Sequence, residues 1–175
     1  MLTFRPLARD EIPQVWTIDR SEVIHHIYVL DAGRLLLQPD YFDVKGWPLD
    51  EPEKNTPYLL DCFDRGGWCY GAFDEEKLVG VAILESTFIG AAKDQLQLKF
   101  LHVSNGYRQR GLGKQLFEMA RTEARTRGAK WLYVSATPSE NTIHFYQRRG
   151  CVLIEQPDPA LFALEPEDIH LICPV

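Results

Sequence analysis

An α/β fold, with helices packed on a mixed sheet, follows from three observations on this sequence. Short apolar runs at 68–73, 78–86 and 95–103 succeed one another as strands do. An amphipathic helical run begins at Leu112, and strand and helix patterns then alternate to the end. The 175 residues suit one domain of ordinary size spanning 1–175, and 45% hydrophobic with 25% charged residues is close to typical globular composition.

Residues 2–7, Leu2-Thr3-Phe4-Arg5-Pro6-Leu7, alternate as a strand should, and Asp10-Glu11-Ile12-Pro13 opens a helical stretch reaching about Tyr28. Residues 31–52 contain Asp31-Ala32-Gly33, Gln38-Pro39-Asp40, Lys45-Gly46-Trp47-Pro48 and Glu51-Pro52. So many breakers predict a loop-rich insertion. A second helix runs from Pro52 or Asn55 to Asp64, with Tyr58, Leu59, Cys62 and Phe63 on one face, until Gly66-Gly67 stops it. A hairpin follows, its strands flanking Asp74-Glu75-Glu76-Lys77, and the next strand occupies 95–103. In the following helix Leu112, Leu116, Met119, Ala120 and Ala124 share one face, and Gly128 closes it. Trp131 to Ala136 reads as a buried strand and a short helix carries Tyr146. Cys151-Val152-Leu153-Ile154 and Ile169-His170-Leu171-Ile172 finish the sheet.

The net charge of −6 argues against a nucleic-acid surface, which needs clustered Lys and Arg, and suits a cationic or amine-bearing substrate. Cys62, Cys69, Cys151 and Cys173 lack Cys-x-x-Cys spacing and lie in or beside apolar runs, so buried free thiols are expected. His25 and His26, adjacent on the expected helix, would point about 100° apart with no carboxylate at ligand spacing, so no metal is expected. The absence of an 18-residue apolar stretch or a basic-then-apolar N-terminus predicts neither membrane span nor leader, hence cytoplasmic residence.

The densest signal is Arg108-Gln109-Arg110-Gly111-Leu112-Gly113, lying between the strand at 95–103 and the helix from Leu112. Amides at a helix mouth lack intrahelical partners and point at an arriving anion. Gly111 and Gly113 permit close approach of the main chain, and Arg108, Arg110 and Lys114 add positive charge. A plain strand-to-helix turn would also use two glycines. The spacing is neither Gly-x-Gly-x-x-Gly nor a Walker loop; it is Gln/Arg-x-x-Gly-x-Gly/Ala.

With that hexapeptide the chain resembles the GNAT family of acyl-CoA-dependent N-acetyltransferases. A second signature of the family is similar to Ser139-Glu140-Asn141-Thr142-Ile143-His144-Phe145-Tyr146-Gln147-Arg148-Arg149-Gly150-Cys151. The order of strand, helix, helix, three antiparallel strands, then β-α-β-α-β-β is that of the GNAT fold and covers essentially the whole chain. The resemblance implies acetyl-CoA wedged where two central strands splay apart. Its pantetheine would pair with the backbone near Leu101 and Val103, and its pyrophosphate would lie on Arg108, Gln109, Arg110, Gly111, Leu112, Gly113 and Lys114. The bulge behind the splay would lie in Ser104-Asn105-Gly106. A further donor contact would come from Asn141 or, in another registration, Ser139; both residues also suit helix capping.

The reaction so implied is direct attack of an amine, on a small molecule or peptide, on the thioester carbonyl in a ternary complex. The Val103 N–H would hold the oxyanion, and Tyr146 occupies the family's general-acid position, although a helical Tyr beside Phe145 is also an ordinary core aromatic. No carboxylate lies between Gln95 and Val103 where the family often has a glutamate. Candidate bases are therefore His102, then Glu85, with Asp94 weaker; His102 on alternation shares a face with Phe100 and Leu98 and equally suits a core role, Glu85 a surface charge, and solvent can take the proton instead. In the family the segment between the first two strands, here about 20–66, sets the acceptor. Its Tyr28, Tyr41, Phe42, Trp47 and Tyr58 among Asp31, Asp40, Asp43, Asp50 and Glu51 would wall a cationic amine, pack as a minor core, or form a homodimer contact. The competing readings are a non-catalytic acyl-CoA-binding sensor or interaction module, and a nucleotide-phosphate enzyme using the same loop.

Overall fold

The run from Leu78 to Leu84 is buried at every position, and a strand hiding both faces belongs inside a sheet covered on each side. The computed structural model, which describes residues 1–175, has it there. Its strands are β1 (Leu2–Pro6), β2 (Glu22–Asp31), β3 (Arg34–Val44), β4 (Trp68–Asp74), β5 (Lys77–Leu84), β6 (Gln95–Val103), β7 (Trp131–Ala136), β8 (Val152–Leu153) and β9 (Ile169–Pro174). Helices α1 (Glu51–Asp64), α2 (Leu112–Thr126), α3 (Glu140–Gln147) and α4 (Pro159–Leu164) accompany a 3₁₀ helix at Arg9–Thr17. One seven-stranded sheet runs β1-β4-β5-β6-β7-β9-β8, and β2 and β3 form a separate ribbon. Neighbours are antiparallel except β6 and β7, which are parallel. No helix is long and apolar enough to cross a membrane.

Each face of the sheet has its own core. On one, Leu112, Leu116, Phe117, Ala120 and Ala124 of α2, with Ile143 and Tyr146 of α3, pack on Ala72, Ala82, Leu84, Leu96, Leu98, Leu132 and Val134. On the other, Ile12, Val15 and Ile18 join Leu59 and Cys62 of α1 against Phe73, Leu78, Val81 and Ile83. The N-terminal turn of α2 sits close on β5: a Cβ at Gly80 would lie 3.0 Å from a methyl of Leu116.

Five expectations change. The helix expected to reach Tyr28 ends at Thr17, and 22–31 is strand, because Val23, Ile24, Ile27 and Val29 are β-branched and the chain turns at Asp19 to Ser21. The expected loop at 31–52 contains β3; Ala32 and Gly33, at φ 45° and 77°, form the two-residue turn that twists a hairpin correctly. The bulge of the central strand lies at Lys99, where the register with β5 slips between Ile83↔Phe100 and Leu84↔Leu98, while Ser104 still bonds Val79 and Asn105 starts a 3₁₀ turn. Cys151 and Cys173 are a disulfide rather than free thiols: Val152 pairs with Ile172, so the two cysteines are cross-strand neighbours 4.3 Å apart at Cα. Cys62 and Cys69 are free and buried. His25 and His26 lie on β2 instead of a helix, His25 exposed beside Tyr41 and His26 Nδ1 3.3 Å from Glu140.

Candidate active site

Strands β6 and β7 pair only from Gln95↔Trp131 to Gln97↔Tyr133 and then part. The gap is a cavity of about 260 Å³ between Leu98 to Val103 on one side and Ser135 to Thr137 on the other. The bulge at Lys99 opens it, because the slip swaps which residues face which core. Leu96 and Leu98 face the α2 side, and beyond the bulge Leu101 and Val103 take over that side. Phe100 and His102 therefore face the 3₁₀ helix and α1, so His102 shares a face with Phe100 and not with Leu98. Since the Ser104 amide is bonded to β5, alternation directs the N–H and C=O groups of Leu101 and Val103 into the gap.

At the cradle, Gln109 and Gly111 take φ 61° and 83°, and Gly111 caps α2. The amides from Gln109 to Lys114 have no hydrogen-bond partner in the chain, the arrangement an anion needs. Gln109, Arg110, Gly111 and Lys114 are exposed, whereas Leu112 is buried in the core under α2. Gly113 lines the cavity, where a Cβ would come within 3.3 Å of Phe145. Arg110 lies over Tyr107 at 5.6 Å with no ion pair, free to meet phosphate. Arg108 turns inward: Nε donates to Val103 O at 2.9 Å and Nη1 to Ser21 O at 3.2 Å, with Glu22 at 3.9 Å. It ties the central strand to β2 rather than pointing from the cradle.

Tyr146 is 7% exposed, packs on Phe117 and Phe145, and lines the cavity. Its hydroxyl makes no hydrogen bond within the chain, and burial pushes its pKa above the usual tyrosine value, so it stays protonated and able to donate. Asn141 also lines the cavity and donates to Glu22 Oε1 at 3.3 Å. Ser139 is buried and caps α3, bonded to Thr142 N and Oγ1. His102 lines the cavity half-buried between Trp47 and Phe100, at 4.8 and 4.4 Å between ring centroids. Burial, and then the charges of Arg20 and Arg108, push its pKa down to about 3. Glu85 lies outside the cavity. Burial alone would raise its pKa, but Arg65 and Lys99, all contacts at 3.1 Å, hold it below the usual range.

The ribbon supplies residues that sequence reasoning missed. Tyr28 N donates to Pro138 O at 2.7 Å and its hydroxyl meets His144 Nε2 at 2.7 Å, which lays β2 along α3 and brings Glu22 and Ile24 to the cavity. Glu22 is the one carboxylate lining it. Arg20, at the entry to β2, completes the rim over Trp47. Trp47 itself is fixed by a bond to Ile18 O at 2.8 Å, an edge contact with Trp16 and a stack on Phe100. The β-branched residues Val23, Ile24, Ile27 and Val29 were the available signal for a strand there. No three His, Cys, Asp or Glu side chains converge to hold a metal.

Residues 30–151 match the family model described as acetyltransferase (GNAT) family. Among solved structures, nourseothricin acetyltransferase superposes with a TM-score of 0.72 at 20% identity, over 99% of this chain and 98% of that one. PaiA N-acetyltransferase from Thermoplasma acidophilum, in complex with coenzyme A, gives 0.65 at 15% identity over 100% and 99%. The ribosomal-protein-S18-alanine N-acetyltransferase from Escherichia coli gives 0.62 at 15% over 100% and 94%. These likenesses concern the fold. No curated protein matches the sequence.

Proposed function

The chain belongs to the GNAT acetyltransferase family, and on that premise we propose that it moves the acetyl group of acetyl-CoA to an amine of a small molecule or peptide by direct attack in a ternary complex. The observation that carries this reading is the gap between β6 and β7, entered from one side by the unpartnered Tyr146 hydroxyl and bordered by the backbone N–H of Val103, whose carbonyl is held by Arg108. The amides of Gln109 to Lys114, with Arg110 and Lys114, would hold the pyrophosphate; Leu101 and Val103 would pair with the pantetheine, and Asn141 would border it. Segment 20–66 would supply the acceptor's side of the site.

The amine nitrogen, once neutral, uses its lone pair to form a C–N bond to the thioester carbonyl carbon. The carbonyl electrons move onto oxygen, where the Val103 N–H stabilises them, a contribution of the kind that dominates acyl transfer. Collapse breaks the C–S bond, the electron pair stays on sulfur, and the Tyr146 hydroxyl donates its proton there and regains one from the water that takes up the nitrogen's proton. The proton lost from nitrogen leaves through water at the rim, with Glu22 as electrostatic partner of the incoming ammonium. His102 stays neutral. Glu85, outside the cavity and held by two cations, is assigned no proton transfer.

The test is amine-dependent release of CoA from acetyl-CoA across a panel of amines. Tyr146→Phe is expected to lower kcat by on the order of 10²–10⁴ while CoA still binds, and Arg110→Ala to weaken CoA binding several-fold. CoA binding without release for any amine would support the sensor reading instead. ATP or NAD binding as tight as CoA would support the nucleotide reading.

A further inference from the structure

The cavity's charged side chains are nearly all spoken for. Arg108 is bonded to two backbone carbonyls and lies by Glu22, Glu22 also accepts from Asn141, and Lys99 is bonded to Glu85. Arg20 is the exception. It is half-buried, lines the cavity, and makes no hydrogen bond or ion pair with any group of the chain. Its guanidinium lies over the Trp47 ring at 4.9 Å, and that indole is itself fixed by Ile18, Trp16 and Phe100. A cation seated on a rigid aromatic face keeps its planar fork of N–H donors for something else, and that fork matches carboxylate or phosphate oxygens two at a time.

The backbone on either side of Arg20 is bonded to the segment leading to the cradle, Asp19 to Ser104 and Asn105 and Ser21 to Arg108, but its side chain turns from the cradle onto Trp47. It stands over Trp47, which packs on Phe100 and His102, and these face away from the α2 side where Leu101 and Val103 meet the donor. We propose that the acceptor amine carries an anionic group, a carboxylate or a phosphate, which Arg20 binds on the Trp47 face of the cavity. This rests on the acetyl-transfer reading above and narrows its substrate class. It also reverses the expectation from the net charge of −6, because the charge that matters is the one unpaired in the site. The effect of Arg20 on neighbouring His102 agrees with an uncompensated positive field there. Arg20 and the gap assigned to the thioester line one cavity of about 260 Å³, so the anion and the reacting nitrogen belong to one molecule.

Matched amines test this: alanine against alaninamide for the carboxylate arm, and O-phosphoethanolamine against ethanolamine for the phosphate arm. With the unaltered protein, kcat/KM is expected to favour the anionic member of one arm by roughly 10- to 100-fold, the range of a charge-assisted contact, and the favoured arm identifies the anion. In Arg20→Ala that ratio collapses towards one, and Arg20→Lys keeps part of it; CoA binding verifies that each variant is folded. Calorimetric titration in the presence of CoA, with N-acetylalanine against N-acetylalaninamide and with N-acetylethanolamine against its O-phosphate, reads the same contact without turnover. Arg20-dependent binding of the anionic partner with no turnover of any amine would leave this inference standing and remove the acetyl-transfer reading. Turnover without preference for the anion, or a preference that survives Arg20→Ala, would overturn the inference and leave acetyl transfer intact. Absence of any Arg20-dependent preference in both arms, by either readout, overturns it as well.

Discussion

Glu85 and His102 are titratable groups whose surroundings, more than their types, decide what they do. Glu85 is 7% exposed and shared between Arg65 and Lys99, so Glu85→Gln would strand two cations around a neutral amide. Arg65 is partly exposed and can turn to water, which limits the expected cost to roughly 2 kcal/mol, or a Tm lower by about 4–8 °C in a chain of this size, read by thermal melting. The folded pKa of Glu85 is depressed, so its stabilisation is present above the unfolded value of about 4.3 and is lost as pH falls below it. His102 acts over a different window. Its folded pKa of about 3 lies below an unfolded value near 6.5, so from pH 6.5 downward the unfolded chain takes a proton that the native site refuses. Stability should fall there by up to about 1.4 kcal/mol per pH unit, and His102→Asn should flatten the slope of ΔG between pH 6.5 and 5 in denaturant titrations. The residue types at both positions are legible in the sequence, but their roles are not. The slip at Lys99 sets the face of His102, and the pairing of Glu85 with Arg65 and Lys99 arises only when α1, β5 and β6 meet.

The cradle is an element whose conformation was legible, because its information is local: a strand end, a left-handed residue and a helix start within six positions. Gly111 at φ 83° has no atom near enough to obstruct a Cβ, so Gly111→Ala tests backbone strain alone. An alanine there costs about 1–2 kcal/mol, and a cradle that relaxes to avoid it should bind CoA several-fold more weakly in a titration while α2 keeps its helicity by circular dichroism. The ribbon was misread for an equally physical reason. Ile24, Ile27 and Tyr28 continue the three-and-four spacing of Ile12, Val15 and Trp16, so periodicity alone extends the helix through them. The breakers of 31–52 marked the hairpin turn and the exit from β3 without revealing the eleven-residue strand between them. What closes the site, β2 lying along α3 through Tyr28, is a long-range pairing that no local pattern encodes.

At the scale of the whole molecule, the seven strands expected in the main sheet are the seven found there, and the C-terminal strands join by a bond that composition argued against. The Cys151–Cys173 disulfide ties the exit of α3, one turn past Tyr146, to β9 across a separation of 22 residues. A loop of that length stabilises by about 3 kcal/mol in the chain-entropy account, so reduction, or Cys173→Ala, should lower Tm by roughly 6–12 °C. CoA affinity should hold, because neither cysteine reaches the cradle or the cavity. Disulfides persist in oxidising surroundings, which sets this bond against the expectation of cytoplasmic residence. Thiol counting separates the possibilities without assuming a compartment. Cys62 and Cys69 are buried, and burial pushes their pKa values up to about 12 and about 11, so the native protein should react negligibly with a thiol reagent at pH 8. Unfolded without reductant it should show two thiols, Cys62 and Cys69, and after reduction all four. Four thiols before any reduction would mean that β8 and β9 are held by pairing and packing alone, as the cysteine spacing had suggested.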